Sequence, residues 1–275
     1  MGRTHNDSTK YEICLSSVEQ KQLGSVRLRR DGTPSAHPWP SEELWPHIRS
    51  LLVKRSQQAN SSLDVSLTAY TPGETLALLR EPRIRAWHYS CSGPLEGSPS
   101  RIVFVPCAKT KPWVGPAVRR SVLYSAYNGL SAELPDTLFV TISEPLAIVP
   151  QYRWGDFPQY DNPGLFVDDA QRSGMTTAQW EGSPFGRCYG TPFDPNARTQ
   201  CLNDLGDVVG AFLSSNSLCE IVAFVDSADG TPTTHGLMLD RAIAVSGIPV
   251  KRYPKRAKAR TSPLHYMREV LSPTE

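Results

Sequence analysis

The chain has 275 residues, of which 20% are charged and 39% hydrophobic, and its formal net charge is +2. That length supports a real core in one large domain or two small ones, and the near balance of charge argues neither for nor against an anionic partner. No apolar run approaches the roughly 20 residues that a membrane helix needs. The polar opening MGRTHNDSTK lacks the apolar segment of a secretory signal, so a cytoplasmic protein without a membrane partner is expected.

The cysteines (Cys14, Cys91, Cys107, Cys188, Cys201 and Cys219) are scattered, and none forms a CxxC pair. They read as reduced thiols. The lack of ligand pairs at metal spacing points away from zinc, and no metal or cofactor is expected.

Along the first 99 residues the sequence suggests an α+β region, packed on the core that follows. YEICLSSV and SLDVSLTAY alternate like strands. SEELWPHIRSLLVKRSQQ reads as a helix: Ser41 suits the N-cap, acids fill the first turn and bases end it. Pro46 must then lie in the first turn or break the pattern. SCSGPLEGSPS, from Ser90 to Ser100, is the best linker candidate.

From Arg101 the pattern becomes strand, loop, helix, repeated. IVFVP is a short continuous apolar run, as expected of a strand covered on both faces. RRSVLYSAYNGL is a helix with Gly129 near its end, and TLFVTIS is the next strand. A loop rich in Gly, Pro and aromatics runs from Glu144 to about Arg198. TQCLNDLGDVVGAFLSS is an amphipathic helix, EIVAFVD a third strand, THGLMLDRAIAVSG a helix closed by Gly247, and IPVKRYP a fourth strand. The alternation predicts an α/β domain over residues 100–255, with a mostly parallel sheet between helices. Residues 256–275 read as a basic tail. The stretch KRYPKRAKAR, with Lys251, Arg252, Lys255 and Arg256, is either solvated surface or a patch that meets phosphate.

In open parallel sheets ligands bind beyond the carboxyl ends of the strands. The first strand ends at Pro106-Cys107, the second at Ser143-Glu144 and the third at Asp226. A thiol and two carboxylates should therefore meet at one edge, with Lys109 and Lys111 near the thiol. A neighbouring ammonium or a helix N-terminus favours the thiolate, the nucleophilic form. The same residues have plainer readings. Cysteine is often a small buried hydrophobe, and the carboxylates suit helix caps. His235 reads as a first-turn or core histidine. No Ser-His-Asp spacing and no standard glycine-rich phosphate loop is present.

Pro106-Cys107-Ala108-Lys109-Thr110-Lys111-Pro112-Trp113 resembles a motif of archaeosine synthase and its relatives: Pro-Cys, three residues, Lys-Pro, then an aromatic. Glu144-Pro145-Leu146-Ala147-Ile148-Val149-Pro150 is similar to that family's Pro-Leu-Gly-Val-Val-Pro segment. Phe157 to Gly164, FPQYDNPG, is similar to its Tyr-Pro…His-Tyr-Asp…Pro segment. The resemblance covers roughly residues 100–255. It implies a three-layer sandwich like that of uracil-DNA glycosylases, and work on a 7-deazaguanine base, where the family adds an amine to a nitrile. The family's Ser-x-Ser-His is missing here, where Val114 to Arg120 reads VGPAVRR, and Gln159 stands at the family's histidine. Neither a tRNA-guanine transglycosylase barrel nor an RNA-binding PUA domain is evident.

On such a substrate Cys107 would attack the nitrile to give a thioimide that an amine resolves. Lys109 or Lys111 would activate the thiol or hold a phosphate. Asp161 or Asp226 would shuttle protons, with Glu144 at the substrate. Trp113, Tyr160 and Trp154 would stack on the base. A glycosylase on the same fold would need Asp161, Glu144 or Asp226 and no thiol. A module that only binds modified nucleic acid or a protein is the third reading. The expected partner is a nucleobase, a nucleoside or modified nucleic acid, tRNA or DNA.

Overall fold

In a computed structural model of the chain, the described residues are 62–97, 99–107, 122–156, 159–162, 165, 194–226, 232–255 and 263–272. Before them, Pro46, Arg49, Ser50, Val53, Lys54, Ser56 and Gln57 are helical, as expected of the segment that opens at Ser41. YEICLSSV lies outside the described residues.

Among the described residues the sheet has five strands: β1 (Arg101–Pro106), β2 (Thr137–Ser143), β3 (Ala147–Pro150), β4 (Glu220–Asp226) and β5 (Lys251–Pro254). Their order across the sheet is β3-β2-β1-β4-β5. β1 pairs in parallel with β2 and with β4, β4 in parallel with β5, and only β3 runs antiparallel, against β2. Beyond the helical residues between 46 and 57, the α-helices among the described residues are α1 (Pro72–Leu79), α2 (Pro82–Cys91), α3 (Val122–Glu133), α4 (Pro195–Ser215), α5 (Thr234–Ser246) and α6 (Pro263–Leu271).

β1 is the pivot. From it the chain passes through α3 to β2 on one side, then returns through α4 to β4 on the other. The strand order reverses at β1, and the crevice between the carboxyl ends of β1 and β4 is where open α/β sheets place ligands.

Both faces of the sheet are covered, so β1 is buried at four consecutive positions. Phe104 meets Phe212 of α4 edge-on, at a centroid distance of 5.9 Å. Phe139 stacks on Tyr127 of α3 at 5.7 Å. Since Phe139 is in register with Val103, not Phe104, these two rings point to opposite faces. Phe224 meets Tyr266 of α6 on the α3 side.

Four expectations need correction. SLDVSLTAY is not a strand beyond a single bridge from Leu63 to Gln159, and Val65–Leu67 form a 3-10 turn. The Asp64 carboxylate accepts hydrogen bonds from the backbone N–H and the hydroxyl of Ser66, which bends the chain at once. The Ser90–Ser100 stretch is not a free linker. Ser90 and Cys91 finish α2, Leu95 is buried, and its N–H donates to Asn216 Oδ1. The C-terminal segment is not a mere tail, because Met267 and Leu271 are buried and α6 packs beside α3. Finally, the loop expected from Glu144 contains β3, whose four residues are all buried.

Candidate active site

Three elements deliver the site. Cys107 follows the last residue of β1, and Glu144 follows the last residue of β2. His235 lies in the first turn of α5, the helix that follows β4. The Thr233 hydroxyl donates to Val225 O (2.6 Å) and caps α5 by accepting from Gly236 N–H (3.3 Å). One side chain thus ties the start of α5 to the end of β4 and sets His235 over the crevice.

The result is a compact trio: the thiol of Cys107, a carboxylate oxygen of Glu144 and an imidazole nitrogen of His235 lie within 4.8 Å of one another. Glu144 is 1% exposed and His235 4%, while Cys107 is only partly buried. Glu144 Oε2 is 3.5 Å from His235 Nε2, and among the described residues no donor sits in good hydrogen-bond geometry on either carboxylate oxygen. Burial opposes charge on His235, yet the negative charges facing it, Glu144 first and then Cys107, outweigh that and push its pKa from 6.5 up to about 10. The ring is therefore an imidazolium at neutral pH, held between two acidic groups.

The turn bearing Glu144 is clamped from α2. The Trp87 indole N–H donates to Ile148 O (2.9 Å), and His88 Nε2 is 2.7 Å from Pro145 O. A carbonyl only accepts, so that nitrogen carries a proton. Burial pushes His88 down, which makes it a neutral, structural imidazole.

Tyr160 completes the wall. Its hydroxyl and that of Ser143 are 2.6 Å apart, and burial, followed by the charge of Cys107 and then of Glu144, pushes its pKa well above 10. It is a neutral phenol beside the trio. Three segments separate in sequence, around Cys107, Glu144 and Tyr160, thus converge on one place.

Other expected site residues stand elsewhere or have other ties. Asp161 Oδ2 accepts from Ser56 (2.7 Å) and Tyr70 (3.4 Å) in a buried cluster. Asp226 ends β4 as expected, but both its oxygens accept from the Arg252 guanidinium, which also pairs with Asp240. Lys251 pairs with Glu220 at 2.7 Å, and Lys255 donates its backbone N–H to Asp226 O. Trp154 is buried and its indole donates to Val149 O, so it is packing and not a stacking platform. Lys109, Lys111, Trp113 and Arg256 lie outside the described residues.

His235 is the site residue that sequence reading did not select. The usable signal was its place just after β4, where α5 begins. Metal-ligand spacing offered no guide, because the three groups that can hold an ion come from three different elements. Compared with protein-family models, curated proteins and solved structures, the chain matches none.

Proposed function

We propose that the chain is a nucleobase-modifying enzyme that uses Cys107 as its nucleophile, on a 7-deazaguanine or related purine-like base, free or within nucleic acid. The observation that carries the reading is the trio itself, a thiol flanked by an imidazolium and a carboxylate in the switch-point crevice. The resemblance to archaeosine synthase supports the substrate class, since two of its motif segments, around Cys107 and Glu144, meet there with Tyr160 of the third. A uracil-DNA glycosylase-like arrangement agrees with a mostly parallel sheet between helices.

On a nitrile substrate the chemistry is a two-step addition. The Cys107 thiolate forms a C–S bond with the nitrile carbon, and the electron pair moved to nitrogen takes the proton of His235, giving a thioimidate. An amine then adds to that carbon and gives up a proton to His235 or Glu144. The C–S bond breaks, the thiolate leaves, and an amidine remains. No redox partner is needed. Glu144, sealed beside the imidazole, keeps it charged for the first proton transfer.

Mass spectrometry of the intact chain with a 7-cyano-7-deazaguanine base, first without and then with ammonium, tests the reading. The expected result is a mass increase equal to the whole substrate, mapped to Cys107, absent in Cys107→Ser and discharged by ammonium. If wild type forms no adduct while both wild type and Cys107→Ser release the base from its nucleoside, the carboxylates carry the chemistry and a glycosylase replaces this reading.

A further inference from the structure

The same three side chains satisfy a second chemical description. Thiolate, imidazole and carboxylate are the donor types that bind Zn²⁺, at about 2.3, 2.0–2.1 and 2.0–2.2 Å from the ion. In a tetrahedral site with those lengths, a nitrogen and an oxygen ligand stand about 3.4 Å apart. His235 Nε2 and Glu144 Oε2 stand 3.5 Å apart. A sulfur ligand sits about 3.6 Å from each of the others in the same geometry. Here all three ligand atoms fall within 4.8 Å, so closing on an ion asks for about an ångström of movement from the partly buried thiol. An independent observation points the same way: both Glu144 oxygens are buried, and among the described residues no donor sits in good hydrogen-bond geometry on them, which leaves the 3.5 Å contact with His235 to offset the cost of a buried carboxylate.

We propose that Cys107, Glu144 and His235 bind one Zn²⁺ ion, and that the bound ion switches the thiol off. This rests on Cys107 being the reactive group. Three protein ligands leave the fourth position to water. The thiol and imidazole lose their protons to solvent when the ion enters. The sulfur lone pair that would attack a substrate carbon is then committed to the metal. Zinc and electrophile compete for one sulfur, and a chelator restores the nucleophile.

The test uses the full chain, stripped with EDTA and dialysed, with Co²⁺ as a spectroscopic stand-in. The near-ultraviolet thiolate-to-cobalt absorption should saturate at one equivalent and vanish when Zn²⁺ displaces the cobalt. Cys107→Ser, an almost isosteric change at a partly buried position, should abolish it, and His235→Gln should weaken Co²⁺ binding at least ~10-fold. No such absorption at one equivalent, or an undiminished band in Cys107→Ser, overturns the ion site. Alkylation of wild-type Cys107 by iodoacetamide separates the two ideas. One equivalent of Zn²⁺ should slow it at least ~10-fold, and EDTA should restore it. A rate indifferent to Zn²⁺ overturns the switch. Slow alkylation in EDTA, beside a saturating cobalt band, overturns the nucleophile and the switch with it but not the ion site.

Discussion

His235 Nε2 stands 3.5 Å from Glu144 Oε2, and the two side chains are only 6% and 0% exposed. Burial disfavours the imidazolium, but Glu144 and Cys107 outweigh it and raise the pKa from 6.5 to about 10. The folded protein holds this proton more tightly than the unfolded chain. The resulting stability is complete below about pH 6.5, declines as pH rises, and is gone above about pH 10. Urea midpoints measured in EDTA should therefore fall across that window. Glu144→Gln should flatten the fall, since it removes the carboxylate that raises the pKa. A wild-type curve that rises from about pH 7 to 10 would contradict the pairing.

The imidazolium also bears on sulfur chemistry. Burial pushes Cys201 up to about 12 and raises Cys91 and Cys219 as well, whereas Cys107 is only partly buried and has His235 beside it. In EDTA at neutral pH, iodoacetamide should modify Cys107 at least ~10-fold faster than Cys201, since an adjacent cation favours the thiolate. His235→Gln should remove most of that advantage. Peptide mass spectrometry over a time course reads both rates, and equal rates in wild type would reduce Cys107 to packing.

How far the sequence revealed this site depended on the element. β2 and β4 fall on Thr137–Ser143 and Glu220–Asp226 as read from their apolar runs, because strands covered on both faces leave an unbroken signal. Cys107 and Glu144 followed from the rule that ligands meet strand ends. β3 was hidden because four residues, Ala147 to Pro150, are too few to show a period, and the last of them is a proline. α1 and α2 were hidden by Pro72 and Pro82, which stand in first turns where proline is tolerated but resemble breakers in the sequence. His235 was ambiguous for a different reason. A histidine near a helix start acquires a role only when a carboxylate from another element faces it, and Glu144 comes from far away in the chain.

Arg252 separates fold from partner in the basic stretch. It is 21% exposed, with Asp226 and Asp240 both on its guanidinium, so it serves the interior. Arg252→Ala leaves Asp226 buried without its cation and should cost about 2–4 kcal/mol of stability. Asp226→Asn should likewise lower stability and leave the alkylation rate of Cys107 within about twofold. Lys251 is 64% exposed despite its pairing with Glu220, and Lys255 is exposed. If this stretch meets phosphate, Lys251→Ala and Lys255→Ala should each lower the salt slope of nucleic-acid binding by about one, without loss of fold. Unchanged slopes in both variants would assign the stretch to solvent.

A last prediction concerns the helix pair that carries His235. α4 and α5 touch through Gly206, where an added Cβ would lie 2.6 Å from Arg241 Cβ and 2.9 Å from Met238 O. The second of these is backbone and cannot swing away. Gly206→Ala gains about 1 kcal/mol of helix propensity, but overpacking costs about 1–3 kcal/mol, so a net loss is expected. Because α5 must shift to make room, His235 should move with it, and Cys107 alkylation at neutral pH should slow. Gly129→Ala in α3 is the control. Among the described residues nothing lies within 4 Å of that Cβ, so the change should stabilise by about 0.5–1 kcal/mol and leave the thiol rate alone. Urea unfolding of both variants, paired with the alkylation assay, decides it. If Gly206→Ala is as stable as Gly129→Ala, the two helices are not in the close contact that sets His235 over the crevice.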